Sequence, residues 1–284
     1  MSIVIDKSFL RGAPGHQLAS LLDSHRCLMP DVLFYEMFKD DERRHKLFGR
    51  LGGRTSPMLL LPGTGELLRY EIEHRKCVGL LEHHALVGDY RFNPKLAEEG
   101  LSLERWMHDA TVSHGSDYRA SARSIADLIG DVPKLIPVLA GYRAGQGGWE
   151  GRFRMAYDTV GQHDNAVRAL YAQLRHPDWP RPNLVRRPWA LFRKVQLDCL
   201  FIVSIFQRYG PKPPENSIEK TIEHDMRDRD YALFGLLAGA LATNDLHLTR
   251  IVRAAEPSVV VISTSSHDHN APRLPMSDSI TSWA

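Results

Sequence analysis

Cysteine is scarce: Cys27, Cys77 and Cys199 are the only three in 284 residues, and no two form a CxxC pair. That scarcity excludes a thiolate zinc module and a disulfide framework, and it predicts reduced, mostly buried thiols. Long hydrophobic runs are missing as well. The longest apolar stretch, Leu200 to Phe206, falls far short of the ~20 residues a membrane-spanning helix needs. At the start, Ile3-Val4-Ile5 meets Asp6, and so short a run cannot serve as a secretory h-region. The expectation is a cytoplasmic protein without membrane association. Charge of one sign is not in excess either: 36 Lys and Arg stand against 34 Asp and Glu, a net charge of +2. This excludes a generally polybasic nucleic-acid binder, but a local basic groove around an acidic centre is permitted.

Familiar catalytic signatures are also lacking. Pro62-Gly63-Thr64-Gly65 has no GK[ST] and reads as a turn, and Gly145 to Gly151 does not fit the dinucleotide fingerprint. Ser265-Ser266-His267 has no GxSxG elbow around it. His83-His84, with His267 and His269, lack the spacing of a zinc site and read as solvated or packed histidines.

What is present is an ordinary globular composition, 43% hydrophobic and 25% charged, with an α/β rhythm at both ends. Ile3 to Ile5 and Cys27 to Met29 read as short buried strands, with helices over His16 to Ser24 and Val32 to Phe38. Near the other end, Tyr231 to Leu241 reads as a buried helix and Leu241 to Thr243 as a strand. His247 to Ala255 reads as a further helix, and Val259 to Ile262 as a final strand. The middle is expected to be helical over Leu67–Leu86, Ser102–Met107, Asp117–Leu128, Arg152–Arg175 and Pro188–Tyr209. The predicted organisation is an α/β core from 1–44 and 216–262, a helical insertion over 45–215, and a flexible tail over 263–284.

Acidic residues fall at the places where such a core puts its chemistry. Asp6 follows the first strand directly, and Asp245 follows the strand at 241–243; functional groups in parallel sheets gather at the carboxyl ends of strands. Glu36 lies in the helix after the second strand, and Asp228 and Asp230 precede the next. Any one of these alone would read as a cap or turn residue. Together they could converge on one edge, where mutual repulsion favours a hard divalent cation such as Mg²⁺ or Mn²⁺.

In this pattern the sequence resembles the PIN-like nuclease domains. Ile3-Val4-Ile5-Asp6-Lys7-Ser8 resembles the family's first strand with its Asp and following small polar residue. Met29-Pro30-Asp31 through Glu36 resembles the second motif, and Asp228-Arg229-Asp230 with Thr243-Asn244-Asp245 resembles the third and fourth. The resemblance spans about residues 1–40 and 220–262; the long helical middle and Lys7 depart from the family pattern. It implies a three-layer fold with a mainly parallel central sheet, and a Mg²⁺- or Mn²⁺-dependent endonuclease acting on nucleic acid, chiefly RNA. Asp6, Glu36, Asp228, Asp230 and Asp245 would hold the metal, Asp225 competing for the third position, with Ser8 and Asn244 as orienting groups. Two alternatives stay open: a catalytically inactive RNA-binding module and a protein-interaction module of the same fold. A protein inhibitor and homo-oligomerisation are left undetermined.

The densest basic stretch, Arg181, Arg186, Arg187, Arg193 and Lys194, is interleaved with Trp179 and Trp189. Arg181, Arg186, Arg187 and Trp189 are therefore candidate nucleic-acid contacts. The competing and preferred reading is a Pro-rich surface loop anchored by its tryptophans.

Overall fold

Ile3, Val4 and Ile5 are fully buried, as a β-branched run in the centre of a parallel sheet must be. In the computed structural model, which describes residues 1–40, 42–51, 58–86, 94–99 and 105–264, that run is β1 (Ser2–Ile5). It pairs in parallel with β2 (Arg26–Met29) on one side and β4 (Ala240–Ala242) on the other. Outside these lie β3 (Leu59–Leu60), against β2, and β5 (Val260–Ile262), against β4. The sheet is five-stranded and parallel, in the order β3-β2-β1-β4-β5.

Helices α1 (Lys7–Gly12) and α2 (Gly15–Ser24) connect β1 to β2, and α3 (Asp31–Lys39) and α4 (Arg44–Gly49) lead to β3. The long connection to β4 holds α5 (Thr64–His74), α6 (Arg105–Ile129), α7 (Val132–Leu135) and α8 (Glu150–Gln162). It continues through α9 (Asp164–Leu174), α10 (Ala190–Tyr209), α11 (Glu215–Ser217) and α12 (Glu223–Ala238). A π-helical turn at Ile218–Ile222 precedes α12, and α13 (Leu246–Ala255) joins β4 to β5. α10 is the axis of the core: Leu191 through Phe206 is almost continuously buried, against α5, α8, α9, α12 and α13. Among the described residues, no helix is long and apolar enough to cross a membrane.

Several elements differ from the sequence expectation, for local reasons. The helix expected over Leu67–Leu86 stops at His74 because Arg75 turns left-handed, φ 55°, and its N–H closes on the Glu71 carbonyl. That expected over Arg152–Arg175 is two helices broken at His163, whose backbone is extended. The middle, expected to be mainly helical, also supplies β3. α12 begins already at Glu223, in a stretch of charged residues that are nonetheless buried. Residues 102–104, Ser265, Ser266, His267, His269 and the tail expected to be flexible, beyond residue 264, lie outside the described residues.

Where α8 crosses α13 there is no room for a side chain. A Cβ on Gly161 would fall against the Ala254 carbonyl well inside van der Waals contact. Gln196 of α10 donates to the Gly161 and Ala255 carbonyls at this same junction, 2.9 and 3.2 Å. Gly161→Ala should therefore destabilise the protein by about 2–3 kcal/mol, read as a lower urea midpoint; an unchanged midpoint would show that the junction can yield.

Candidate metal centre

The strand order reverses between β1 and β4: the chain leaves β1 toward β2, whereas β4 is followed by β5 on the opposite side. Such a switch point opens a crevice beyond the strand carboxyl ends. Asp6 stands there, its N–H bonded to the Ala242 carbonyl at 3.0 Å, and Asp245 follows β4 through Thr243 and Asn244.

Each acid is fixed by its own local structure. Asp6 caps α1, accepting from the Ser8 amide, from the Ser8 Oγ at 2.8 Å and from the Thr243 hydroxyl. It is 4% exposed. Burial pushes its pKa up to about 6; Thr243 and Ser8 pull it back, and the Glu36 charge adds to the rise. Asp245 caps α13, accepting the Leu248 N–H at 2.9 Å, while its own amide donates to Thr243 Oγ1 at 3.0 Å. Glu36, on the buried face of α3, accepts from Arg227 at 3.0 Å and from the Tyr231 hydroxyl at 3.0 Å.

α12 is a helix of buried charges, and nearly all of them are matched. Glu223 meets Arg227 and Lys39, Asp225 meets Arg208, and Arg229 bridges Asp198 and Asp230. Asp228 is the exception. Burial raises its pKa well above the usual carboxylate range, and the charges of Asp245, Asp6, Asp225 and Glu36 all push it further. Its one basic neighbour among the described residues is the half-exposed His224, Nδ1 3.4 Å from Oδ1. One ligand atom each from His224, Asp228 and Asp245 lies within 4.8 Å of the others.

The structure thus places Asp228 and Asp245 together and puts Asp228 within reach of the charges of Asp6, Asp225 and Glu36, whereas Asp230 is engaged elsewhere. Residues two apart on a helix point about 200° away from each other, so Asp230 turns from the crevice to Tyr118, 2.9 Å, and Arg229, 3.1 Å. Of the expected orienting residues, Ser8 contacts Asp6 directly, and the Asn244 backbone amide donates to Ser8 Oγ at 2.8 Å while its side chain also holds the following loop. Its Oδ1 accepts from the Thr264 amide and hydroxyl at 2.9 and 3.0 Å, fastening the end of β5.

The basic stretch is not a rim of this crevice. Arg187 pairs with Asp164 and Glu256 at 2.7 and 3.1 Å and donates to the Ala255 carbonyl. Ala255 ends α13, about 15 Å along the helix from Asp245. Trp189 is buried at the start of α10, so its ring is unavailable for stacking on a base. Arg186 is exposed, and Arg181 lines a separate cavity.

Three participants escaped the sequence reading. His224 shares a face with Asp228 at i,i+4 spacing, a signal visible once the helix is known to begin before it. Thr243 binds Asp6 and the Asp245 amide. Arg227 occupies Glu36 across 191 residues of chain, and such a pairing leaves no local trace.

No protein-family model matches the chain, and neither a curated protein nor a solved structure matches it. The class is therefore drawn from fold and geometry: an α/β protein with a parallel sheet and a cluster of buried acids at its switch point.

Proposed function

We propose that the protein is a PIN-like, divalent-cation-dependent endonuclease that hydrolyses phosphodiester bonds, with RNA as the substrate class its sequence resemblance implies. The observation that carries this reading is the charge imbalance: Asp6 and Asp228 are buried among other acids and, among the described residues, form no ion pair with Arg or Lys. Removing charge from water without a partner is costly, and a hard cation supplies the missing charge with oxygen-rich ligation that suits Mg²⁺ or Mn²⁺. Asp6, Asp228 and Asp245 would hold it. Such an ion would acidify a bound water and offset charge developing on the phosphate.

The remaining groups act around that set. Ser8 and Thr243 hold the Asp6 carboxylate in one orientation. Glu36, already occupied by Arg227 and Tyr231, positions α12 against α3 and adds negative potential. His224, at the exposed side of the cluster, is placed to exchange a proton with the reacting water or the leaving oxygen.

The test joins Mn²⁺ calorimetry with cleavage of a fluorescent RNA oligonucleotide. Because a ligand carboxylate must lose its proton first, affinity should fall about tenfold between neutral pH and about pH 5, below the Asp6 value of about 6. In the metal-free protein the sign reverses. A folded-state pKa raised above the unfolded one makes a contribution to stability that is present below about pH 4 and is lost as pH rises through about 6. Asp6→Asn keeps a helix cap but should abolish EDTA-sensitive cleavage and remove the Asp6 share of the pH dependence, leaving that of Asp228. The proposal fails if Mn²⁺ gives no heat, or if cleavage by Asp6→Asn runs at the parent rate. Mn²⁺ heat without cleavage would favour the inactive binding module, for which the occupied state of Glu36 speaks.

A further inference from the structure

A cavity of about 410 Å³ lies at the far end of α10 from the acidic crevice, and its lining includes Arg75, Arg175, Trp179, Arg181, Asn183 and Leu184 with no acid. The three guanidinium groups come from separate segments: Arg75 ends α5, Arg175 ends α9, and Arg181 sits in the loop leading to α10. Arg75 and Arg181 have no ion pair among the described residues. Among the described residues Arg175 donates only to its own loop, to the Pro177 and Trp179 carbonyls at 3.4 Å.

The walls are braced. Tyr171 is fully buried, stacks on Trp179 with ring centroids 6.2 Å apart, and donates its hydroxyl to the Pro180 carbonyl at 2.8 Å. Arg75 is the single non-glycine residue with positive φ among the described residues, 55°, a conformation that L-residues hold at a cost and that clusters at binding sites. Three like charges around one hollow repel unless an anion sits between them, and arginine forks match phosphate oxygens in bidentate geometry. The half-buried indole of Trp179 and the Leu184 side chain add an apolar wall, and the Asn183 amide offers a donor and an acceptor.

From this geometry we propose that the cavity binds a phosphate monoester carried on a flat heterocycle, a mononucleotide, with the phosphate on the arginines and the ring against Trp179. The size agrees with small-molecule pockets. The site is distinct from the acidic cluster, and α10 measures the separation. Glu71, one turn before Arg75, binds the amides of Ala190 and Leu191 at its start, and Arg208 near its end reaches Asp225. Those points stand about 27 Å apart along the helix. The inference does not depend on nuclease activity.

The experiment is calorimetry with adenosine 5′-monophosphate and with inorganic phosphate, on the full chain in EDTA. Adenosine 5′-monophosphate should bind in the sub-millimolar range, about tenfold or more tighter than inorganic phosphate. Arg181→Glu and Arg75→Gly should each weaken it at least about tenfold. The glycine variant relieves the left-handed backbone, so its fold is retained, and Asp228→Asn should bind the nucleotide as the parent does. Equal binding of phosphate and nucleotide, no binding at about millimolar concentration, or unchanged affinity in both arginine variants overturns the proposal.

Discussion

Asp228→Asn should lower divalent-dependent cleavage by about 10²–10³-fold while leaving the melting temperature of the metal-free protein equal to or above that of the parent. The rate effect follows from removing one carboxylate from the proposed cation site, whose charge stabilisation would be worth several kcal/mol, at about 1.4 kcal/mol per tenfold. The stability effect has the opposite origin. Asp228 is buried among Asp245, Asp6, Asp225 and Glu36, so in the absence of a cation its charge opposes folding, and an amide of the same shape removes that opposition. Adding Mn²⁺ should raise the melting temperature of the parent, by the linkage between ligand binding and folding, and should leave the variant nearly unmoved. Asp230→Asn supplies the contrast: it loosens the Tyr118 and Arg229 bonds and should cost stability with little effect on cleavage. Should Asp228→Asn cleave at the parent rate, or melt well below it without metal, the assignment of the crevice as a cation site is lost.

The contrast between those two aspartates also marks how far the sequence is legible. β1, β2, β4 and β5 can be read directly because each is a short apolar run, and a strand buried on both faces needs no alternation. β3 is missed although Met58 to Leu61 is a run of the same kind, because only Leu59 and Leu60 pair, at the sheet edge, and Pro62-Gly63 follows at once. The N-terminal half of α12 is hidden for another reason. Its carboxylates and guanidiniums are buried because they pair with α3 and α10, so the polar character that normally signals a surface is misleading there. The order Asp6, Glu36, then an acid near 228, then Asp245 is visible in one dimension. Which of Asp225, Asp228 and Asp230 faces the crevice depends on helix phase, and the imbalance that distinguishes Asp228 depends on where Arg208 and Arg229 reach. Arg187 shows the converse: it looks like part of a basic surface until Asp164 and Glu256, distant in sequence, are seen to occupy it.

Glu71 is the residue whose loss should damage the fold most, although the sequence presents it as one more acid in the polar helix Thr64–His74. It is fully buried; Oε1 accepts the amides of Val78 and Ala190 at 3.1 and 2.7 Å, and Oε2 accepts that of Leu191 at 2.8 Å. Trp189, the residue before α10, has no side-chain oxygen to cap it, so α10 is capped from α5 instead. Burial outweighs the three donors and lifts the Glu71 pKa to about 7. Glu71→Ala would strand three buried N–H groups at ~1–3 kcal/mol each, about 3–5 kcal/mol after partial relaxation. That is a large share of the roughly 5–15 kcal/mol by which a domain is stable. Glu71→Gln keeps the volume and one accepting oxygen and should lose about half as much. Its deficit should also depend on pH. The folded pKa lies above the unfolded one, so the parent's protonation contributes stability below about pH 4.5 that disappears as pH rises through about 7. Urea unfolding followed by circular dichroism should therefore show the glutamine variant closer to the parent at about pH 8 than at about pH 5. A Glu71→Ala protein within about 0.5 kcal/mol of the parent at either pH would mean that α10, and with it the separation between crevice and arginine cavity, is held by packing alone.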